Sequence, residues 1–92
     1  MSDQPKASEL FLAALADRIR EWRCALEVSR ETIAERSGLS VSTIRRIEAG
    51  TVDPKVSTLW VLAKAMETEV YELADVSGEE LGIAADGTLK SS

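Results

Sequence analysis

The chain has 92 residues, 45% of them apolar, a net charge of −5, a single cysteine and no histidine, which suits one small domain. Cys24 alone excludes an internal disulfide, and the lack of histidine removes the commonest general base and the commonest metal ligand. Since no apolar run approaches the ~18 residues of a membrane span and no segment has the pattern of a signal peptide, we expect a cytoplasmic protein without membrane contact, cofactor, metal or catalytic activity.

A first helix is predicted after a loose N-terminus at residues 1–8, and it opens a domain over residues 9–76. Its apolar residues recur in steps of three and four, which places them on one helical face: Leu12, Leu15, Ile19, Trp22 and Leu26. We expect Trp22 in the core. The start of this helix stays open, because Ser8-Glu9 and Asp17 both suit a first turn.

The second and third helices are predicted from their end signals. Ser29 and Ser40 are good N-caps, and Gly38 and Gly50 tolerate the left-handed backbone that ends a helix. The helices between these signals carry apolar residues for the core, namely Ile33, Ala34, Ile44 and Ile47. Two short helices joined by a tight turn are therefore expected over residues 30–49.

After a turn at Asp53-Pro54, a fourth helix is predicted from the apolar stripe Leu59, Leu62, Ala63 and Met66. A short fifth element follows at residues 70–73. Beyond Val76 the sequence turns acidic, with Asp86-Gly87 as a hairpin-like turn signal. A lone hairpin is marginal in water, so we expect residues 77–92 to form a flexible tail or a segment that orders on a protein partner.

The charge is unevenly distributed along the chain. Residues 17–66 contain nine Lys or Arg against seven Asp or Glu, which is +2, whereas residues 67–92 contain seven acids and one lysine, which is −6. A basic body with an acidic tail is compatible with a nucleic-acid partner, because the local field of one face matters more than the total.

The pair of short helices has the residue choices of a helix-turn-helix. Ala34 is small enough for two helices to cross closely, and Gly38 stands four positions later, where the turn needs a left-handed residue. The positions that must face the core are all aliphatic: Ile33, Leu39, Ile44 and Ile47. These requirements rarely coincide by chance, so the pattern predicts an all-α fold built around this motif.

These residues resemble the phage-repressor/Cro-type (XRE-like) helix-turn-helix family. The resemblance rests on Gly38-Leu39-Ser40, Ile44, Ile47-Glu48-Ala49-Gly50 and Pro54, with further similarity at residues 18–23, 59–66 and Leu73. It covers about residues 15–74. It implies a compact, five-helix, lambda-repressor-like domain with the helix-turn-helix at helices 2 and 3, which binds double-stranded DNA as a dimer.

The resemblance makes residues 41–49 the recognition helix, whose N-terminal end enters the major groove. Val41, Ser42 and Arg46 match the family's base-reading positions, and Arg45 also points outward. Arg46 suits O6 and N7 of a guanine, a contact that discriminates between bases by ~1–3 kcal/mol. The alternative is that both arginines are solvated surface charges.

Further roles follow from the same resemblance. The expected phosphate contacts are Arg30, Ser40, Thr43, Thr51 and Lys55. Arg23 and Glu48 fall where the family has a largely buried ion pair between its first and third helices. Trp60 lies off the apolar stripe of its helix, so it is either a dimer contact or a local cap over the core. Glu67 departs from the glycine that commonly ends the family's fourth helix.

Together these features predict a sequence-specific transcriptional regulator that binds a pseudo-palindromic operator as a homodimer, such as a phage-type repressor or a restriction-modification controller. The alternative is an antitoxin or adaptor whose helix-turn-helix domain and acidic tail bind a protein partner.

Overall fold

The computed structural model describes residues 6–76, which form five α-helices. Their bounds are α1 Ala7–Ala25, α2 Arg30–Ser37, α3 Val41–Glu48, α4 Val56–Ala65 and α5 Val70–Leu73. The described residues contain no strand. The all-α fold with a helix-turn-helix at α2 and α3 is therefore confirmed. None of the helices within residues 6–76 is both long and apolar enough to cross a membrane.

The helix α1 begins close to Ser8-Glu9 and far from Asp17, the other start that the sequence left open. The carboxylate of Glu9 accepts a hydrogen bond of 3.3 Å from the backbone N–H of Lys6. An acidic side chain in the first turn also suits the positive end of the helix dipole. A local interaction of Glu9 thus marks the start of α1.

The predicted end signals of α2 and α3 work as expected. The Ser29 hydroxyl accepts the N–H of Thr32 at 3.1 Å, and the Ser40 hydroxyl accepts the N–H of Thr43 at 3.0 Å. Each bond satisfies a donor that lacks an intrahelical partner. Gly38, between the two helices, has a φ of 79°, which is a left-handed backbone conformation. Glycine adopts this conformation without strain because it has no Cβ.

The core draws on all five helices. Its buried apolar residues are Leu15, Ala16, Ile19, Ile33, Ile44, Ile47, Leu59, Leu62, Ala63, Ala65, Met66 and Leu73. Five residues predicted to face the core are only partly buried and pack against this cluster, namely Leu12, Trp22, Leu26, Ala34 and Leu39. The indole N–H of Trp22 donates to the carbonyl of Met66 at 3.2 Å, so the ring lies at the core's edge, with its polar atom paired.

Side chains of α1 satisfy carbonyl groups at or near the ends of other helices. Arg18 donates to the carbonyl of Glu72 in α5, and Arg20 donates to the carbonyl of Glu48, the last residue of α3. The last carbonyl groups of a helix have no hydrogen-bond donor within that helix. The two arginines therefore supply hydrogen bonds that water would otherwise provide. The helix α1 therefore holds the elements that surround it in addition to packing against them.

Glu67 occupies the position where the family commonly has glycine, and its backbone keeps the conformation that glycine favours. Its φ is 57°, and Glu27, just after α1, has the same φ. Residues other than glycine adopt this left-handed region at a cost. The backbone at Glu67 therefore takes a left-handed conformation without a glycine.

Candidate nucleic-acid interface

The helix α3 has one face in the core and one in solvent. Ile44 and Glu48 on the inner face are 1% and 2% exposed, and Ile47 is buried beside them. On the outer face Ser42, Arg45 and Arg46 are exposed, as the sequence predicted, whereas Val41 is half-buried. The arrangement presents two adjacent guanidinium groups on a helix that the core holds in place.

These guanidinium groups are free to bind an external acceptor. Within residues 6–76, the side chains of Arg45, Arg46 and Lys55 form no ion pair and no hydrogen bond. The exposed surface from residue 38 to residue 55 carries these three cations and the single acid Asp53, because Glu48 is buried. An exposed helix with surplus positive charge is the electrostatic footprint of a surface that binds nucleic acid.

Ser40 and Thr43 stand together at the start of α3. The Ser40 hydroxyl accepts the N–H of Thr43 and donates to the Thr43 hydroxyl at 2.8 Å. The donor of Ser40 is therefore used inside the turn, and the hydroxyl proton of Thr43 is the one left for an outside acceptor. The first backbone N–H groups of α3 also lack intrahelical acceptors, and they point out of the N-terminal end of the helix.

Thr51 and Lys55 flank α3 on its C-terminal side, and both are exposed. The hydroxyl and the backbone N–H of Thr51 both donate to the carbonyl of Arg46, each at 3.2 Å. The threonine thus helps to end the recognition helix. Lys55 precedes α4, and its ammonium group is available for an anion.

The carboxylate of Glu48 lies between two arginines. Arg23 contacts both oxygens, at 2.7 Å from Nε and 3.2 Å from a terminal nitrogen, and Arg30 places its Nε 2.9 Å from Oε1. The sequence indicated the first arginine but missed the second. The family resemblance predicts Arg30 only as a phosphate contact. Its bond to Glu48 has no local signal in the sequence, because eighteen positions separate the two residues.

The ion pair raises the pKa of Arg23, and the chief cause is its hydrogen bonding to Glu48, against a smaller opposing effect of burial. A raised pKa in the folded state means that folding favours the charged guanidinium. Arg23 also donates to the carbonyl of Val28 at 3.1 Å. It therefore ties α1 to the loop before α2 and to the end of α3 at once.

Trp60 lies on α4 with 54% of its surface exposed. The ammonium group of Lys64 sits 5.7 Å from its ring centroid and forms an ion pair of 2.6 Å with Glu69. Val56 and Tyr71 are the other large apolar residues with high exposure in the described part of the chain. This exposure leaves the ring of Trp60 available for an external contact.

Other kinds of site have less support in the described range. No group of three or more His, Cys, Asp or Glu among residues 6–76 is placed to hold a metal ion. A cavity of about 550 Å³ between α1 and the end of α4 is lined in part by Trp22, Leu26 and Met66. None of the residues predicted to contact DNA lines this cavity. The predicted partner-binding tail, residues 77–92, lies outside the described residues.

Comparison with known proteins agrees with the fold. The family model described as helix-turn-helix matches residues 19–73. The control protein C.SmaI of Serratia marcescens is 38% identical over 64 residues, which span 70% of this chain and 76% of that protein.

Two solved structures are also similar. The restriction-modification controller protein C.AhdI from Aeromonas hydrophila matches with a TM-score of 0.66 and 35% identity, over 67% of this chain and 94% of that one. The hypothetical transcription factor NHTF from Neisseria matches with a TM-score of 0.69 and 25% identity, over 88% and 92%. Because the family model matches residues 19–73 and the fold is shared with these proteins, the chain belongs to the helix-turn-helix family of DNA-binding transcriptional regulators.

Proposed function

We propose that this regulator controls the genes of a restriction-modification system by binding a pseudo-palindromic operator as a homodimer. The observation that carries the proposal is the outer face of α3, where Arg45 and Arg46 are exposed and unpaired within residues 6–76. The opposite face is locked into the core by Ile44, Ile47 and Glu48. A rigid helix with free donors can read base edges, because its backbone is held in position before DNA arrives.

In this proposal the exposed face of α3 lies in the major groove, with the N-terminal end of the helix entering it. Arg46 pairs with O6 and N7 of a guanine, Arg45 and Ser42 bond to neighbouring base edges, and Val41 packs on a thymine methyl group. Phosphates on either side are bound by Arg30, Ser40, Thr43, Thr51 and Lys55. Ser40 contributes through its turn, since its hydroxyl proton is already donated to Thr43.

A second copy of the chain supplies the other half of the reading surface. Trp60 is proposed as the central dimer contact, because an exposed tryptophan is a strong interface anchor and α4 also exposes Val56. Two recognition helices related by a two-fold axis reach successive major grooves, so the half-sites lie about 10–10.5 base pairs apart.

The proposed target genes follow from two relatives. Both C.SmaI and C.AhdI are named as control or controller proteins, and the match to each covers more than two thirds of the relative's length. The phage-type repressor is the neighbouring possibility within the same family. A protein partner for residues 77–92 stays a prediction, and nothing in residues 6–76 favours it.

The test is selection of bound duplexes from a random DNA pool at moderate salt, with wild-type protein and Arg46→Ala in parallel. We expect a two-fold symmetric motif whose guanine preference disappears in the variant. Trp60→Ala should weaken self-association in sedimentation velocity while it leaves the helical content unchanged. Folded wild-type protein that enriches no sequence would overturn the proposal, and an asymmetric motif would overturn the dimer.

A further inference from the structure

Glu48 shares one carboxylate between arginines of two different helices. Arg23 comes from α1, and Arg30 is the first residue of α2. Glu48 itself is the last residue of the recognition helix, and it is 2% exposed. The end of α3 is therefore fixed at the same point by the helix before the motif and by the first helix of the motif.

The two arginines use this carboxylate unequally. Arg23 is 14% exposed and binds both oxygens, whereas Arg30 is 36% exposed and binds one oxygen through Nε alone. The terminal nitrogens of Arg30 bond to nothing within residues 6–76. Two cations on one anion leave a surplus positive charge, and it falls on the more exposed partner.

The place of Arg30 in its helix adds to this surplus. It is the first residue of α2, where the helix dipole is positive and a cation is unfavourable. The carboxylate that offsets it is already bound by Arg23 on both oxygens. An anion bound at the terminal nitrogens of Arg30 offsets this surplus positive charge. A phosphate of bound DNA is such an anion, and its oxygens match the geometry of a guanidinium group.

We infer that Arg30 is a positioning residue that couples a DNA phosphate to the recognition helix. Its Nε holds Glu48 at the end of α3, and its terminal nitrogens bind the phosphate. The inference rests on the proposed function and extends it. The Arg30 side chain both binds a phosphate of the DNA backbone and sets the tilt of α3 toward the bases. Only arginine suits this role, because a lysine has one charged nitrogen and cannot span both acceptors.

The experiment compares Arg30→Lys with two control variants. Lys55→Ala removes an exposed cation whose side chain forms no hydrogen bond or ion pair within residues 6–76. Arg36→Lys alters another α2 arginine, whose side chain donates to the carbonyl of Ala65 at 3.4 Å. Each protein is titrated with the selected operator, and with an operator changed at the recognised guanine, over a series of salt concentrations. Melting curves without DNA confirm that each variant is folded at the assay temperature.

For Arg30→Lys we expect an unchanged salt dependence, because the charge is kept, and a fall of roughly 3- to 10-fold in the preference for the correct operator. Lys55→Ala should lower the slope of log affinity against log salt by about 0.9 and keep the preference. Arg36→Lys should keep both.

An Arg30→Lys protein that keeps the wild-type preference overturns the inference and leaves the proposed function intact. Loss of preference in Arg36→Lys as well overturns it too, since general loosening of α2 would then explain the effect. Absence of any preference in the wild type is a failure of the proposed function itself, so the two failures are distinguishable.

Discussion

The inner and outer faces of α3 differ in what holds each side chain. On the inner face Ile44 and Ile47 are buried, and Glu48 receives hydrogen bonds from both Arg23 and Arg30. On the outer face Arg45 and Arg46 extend into solvent without a partner among residues 6–76. Under the proposed function, one helix of eight residues thus keeps the side chains of the fold and those of recognition on opposite faces.

Under the proposed function, this separation allows outer-face residues to change while the scaffold stays the same. A residue on the inner face is constrained by neighbours from α1, α2 and the core, whereas a residue on the outer face has only solvent or DNA to satisfy. Apart from the contact between Arg30 and Glu48, changes on the inner face should therefore lower the free energy of unfolding, and changes on the outer face should alter binding alone. The expected loss of stability decreases in the order Glu48, Ile44, Gly38 and Arg46.

The largest effect is expected for Glu48→Ala. The change leaves Arg23 and Arg30 without their carboxylate, and a broken buried ion pair costs about 3–5 kcal/mol. Urea unfolding followed by circular dichroism measures the loss. Glu35→Ala is the matched control, because Glu35 is exposed on α2 and forms no ion pair within the described residues; its effect should stay within about 0.5 kcal/mol. Equal effects of the two variants would show that the Glu48 cluster does not stabilise the fold.

Ile44→Ala is expected to lower the free energy of unfolding by about 2–5 kcal/mol, because it leaves a cavity where a side chain 1% exposed now packs. Ile44→Val should cost only about 0.5–1.5 kcal/mol. The same urea titrations apply. Both variants should bind the operator with wild-type preference at a temperature where they are folded, and an altered base preference would contradict the separation of the two faces.

Much of this fold can be predicted because its signals are local. Ser29, Gly38, Ser40 and Gly50 mark helix ends through the backbone conformations and hydrogen bonds of their own neighbourhood. The start of α1 could not be decided between Ser8-Glu9 and Asp17, because several polar residues suit a first turn. The helix begins at Ala7, where the carboxylate of Glu9 accepts a hydrogen bond from the backbone N–H of Lys6.

Gly38→Ala is expected to cost about 1–2 kcal/mol, because alanine must adopt the left-handed backbone at a φ of 79°. No heavy atom lies within 4 Å of the Cβ that the change would add, so the cost comes from the backbone alone. Gly38→Asn should cost less, since asparagine tolerates this conformation. Thermal unfolding of both variants measures the difference. Equal losses of stability in the two variants would contradict a cost set by the left-handed backbone.

The arginines show where sequence reasoning about the site stops. The exposure of Arg45 and Arg46 follows from helical periodicity once Ile44 and Ile47 are placed inward. The contact of Arg30 with Glu48 does not follow, because it depends on how α2 crosses α3. Arginine carries the same sequence signal whether it binds a phosphate, a carboxylate or a carbonyl, so the partner is decided by tertiary packing.

The smallest effect on stability is expected for Arg46→Ala, and it is the sharpest test of the outer face. Arg46 has no side-chain partner within residues 6–76, so the free energy of unfolding should change by no more than about 0.5 kcal/mol. The same substitution should weaken operator binding by about 1–3 kcal/mol through loss of the guanine contact. Urea unfolding and operator titration on one protein sample give both numbers. A variant that loses stability as well as affinity would mean that the outer face supports the fold, and recognition and folding would then not be separable on this helix.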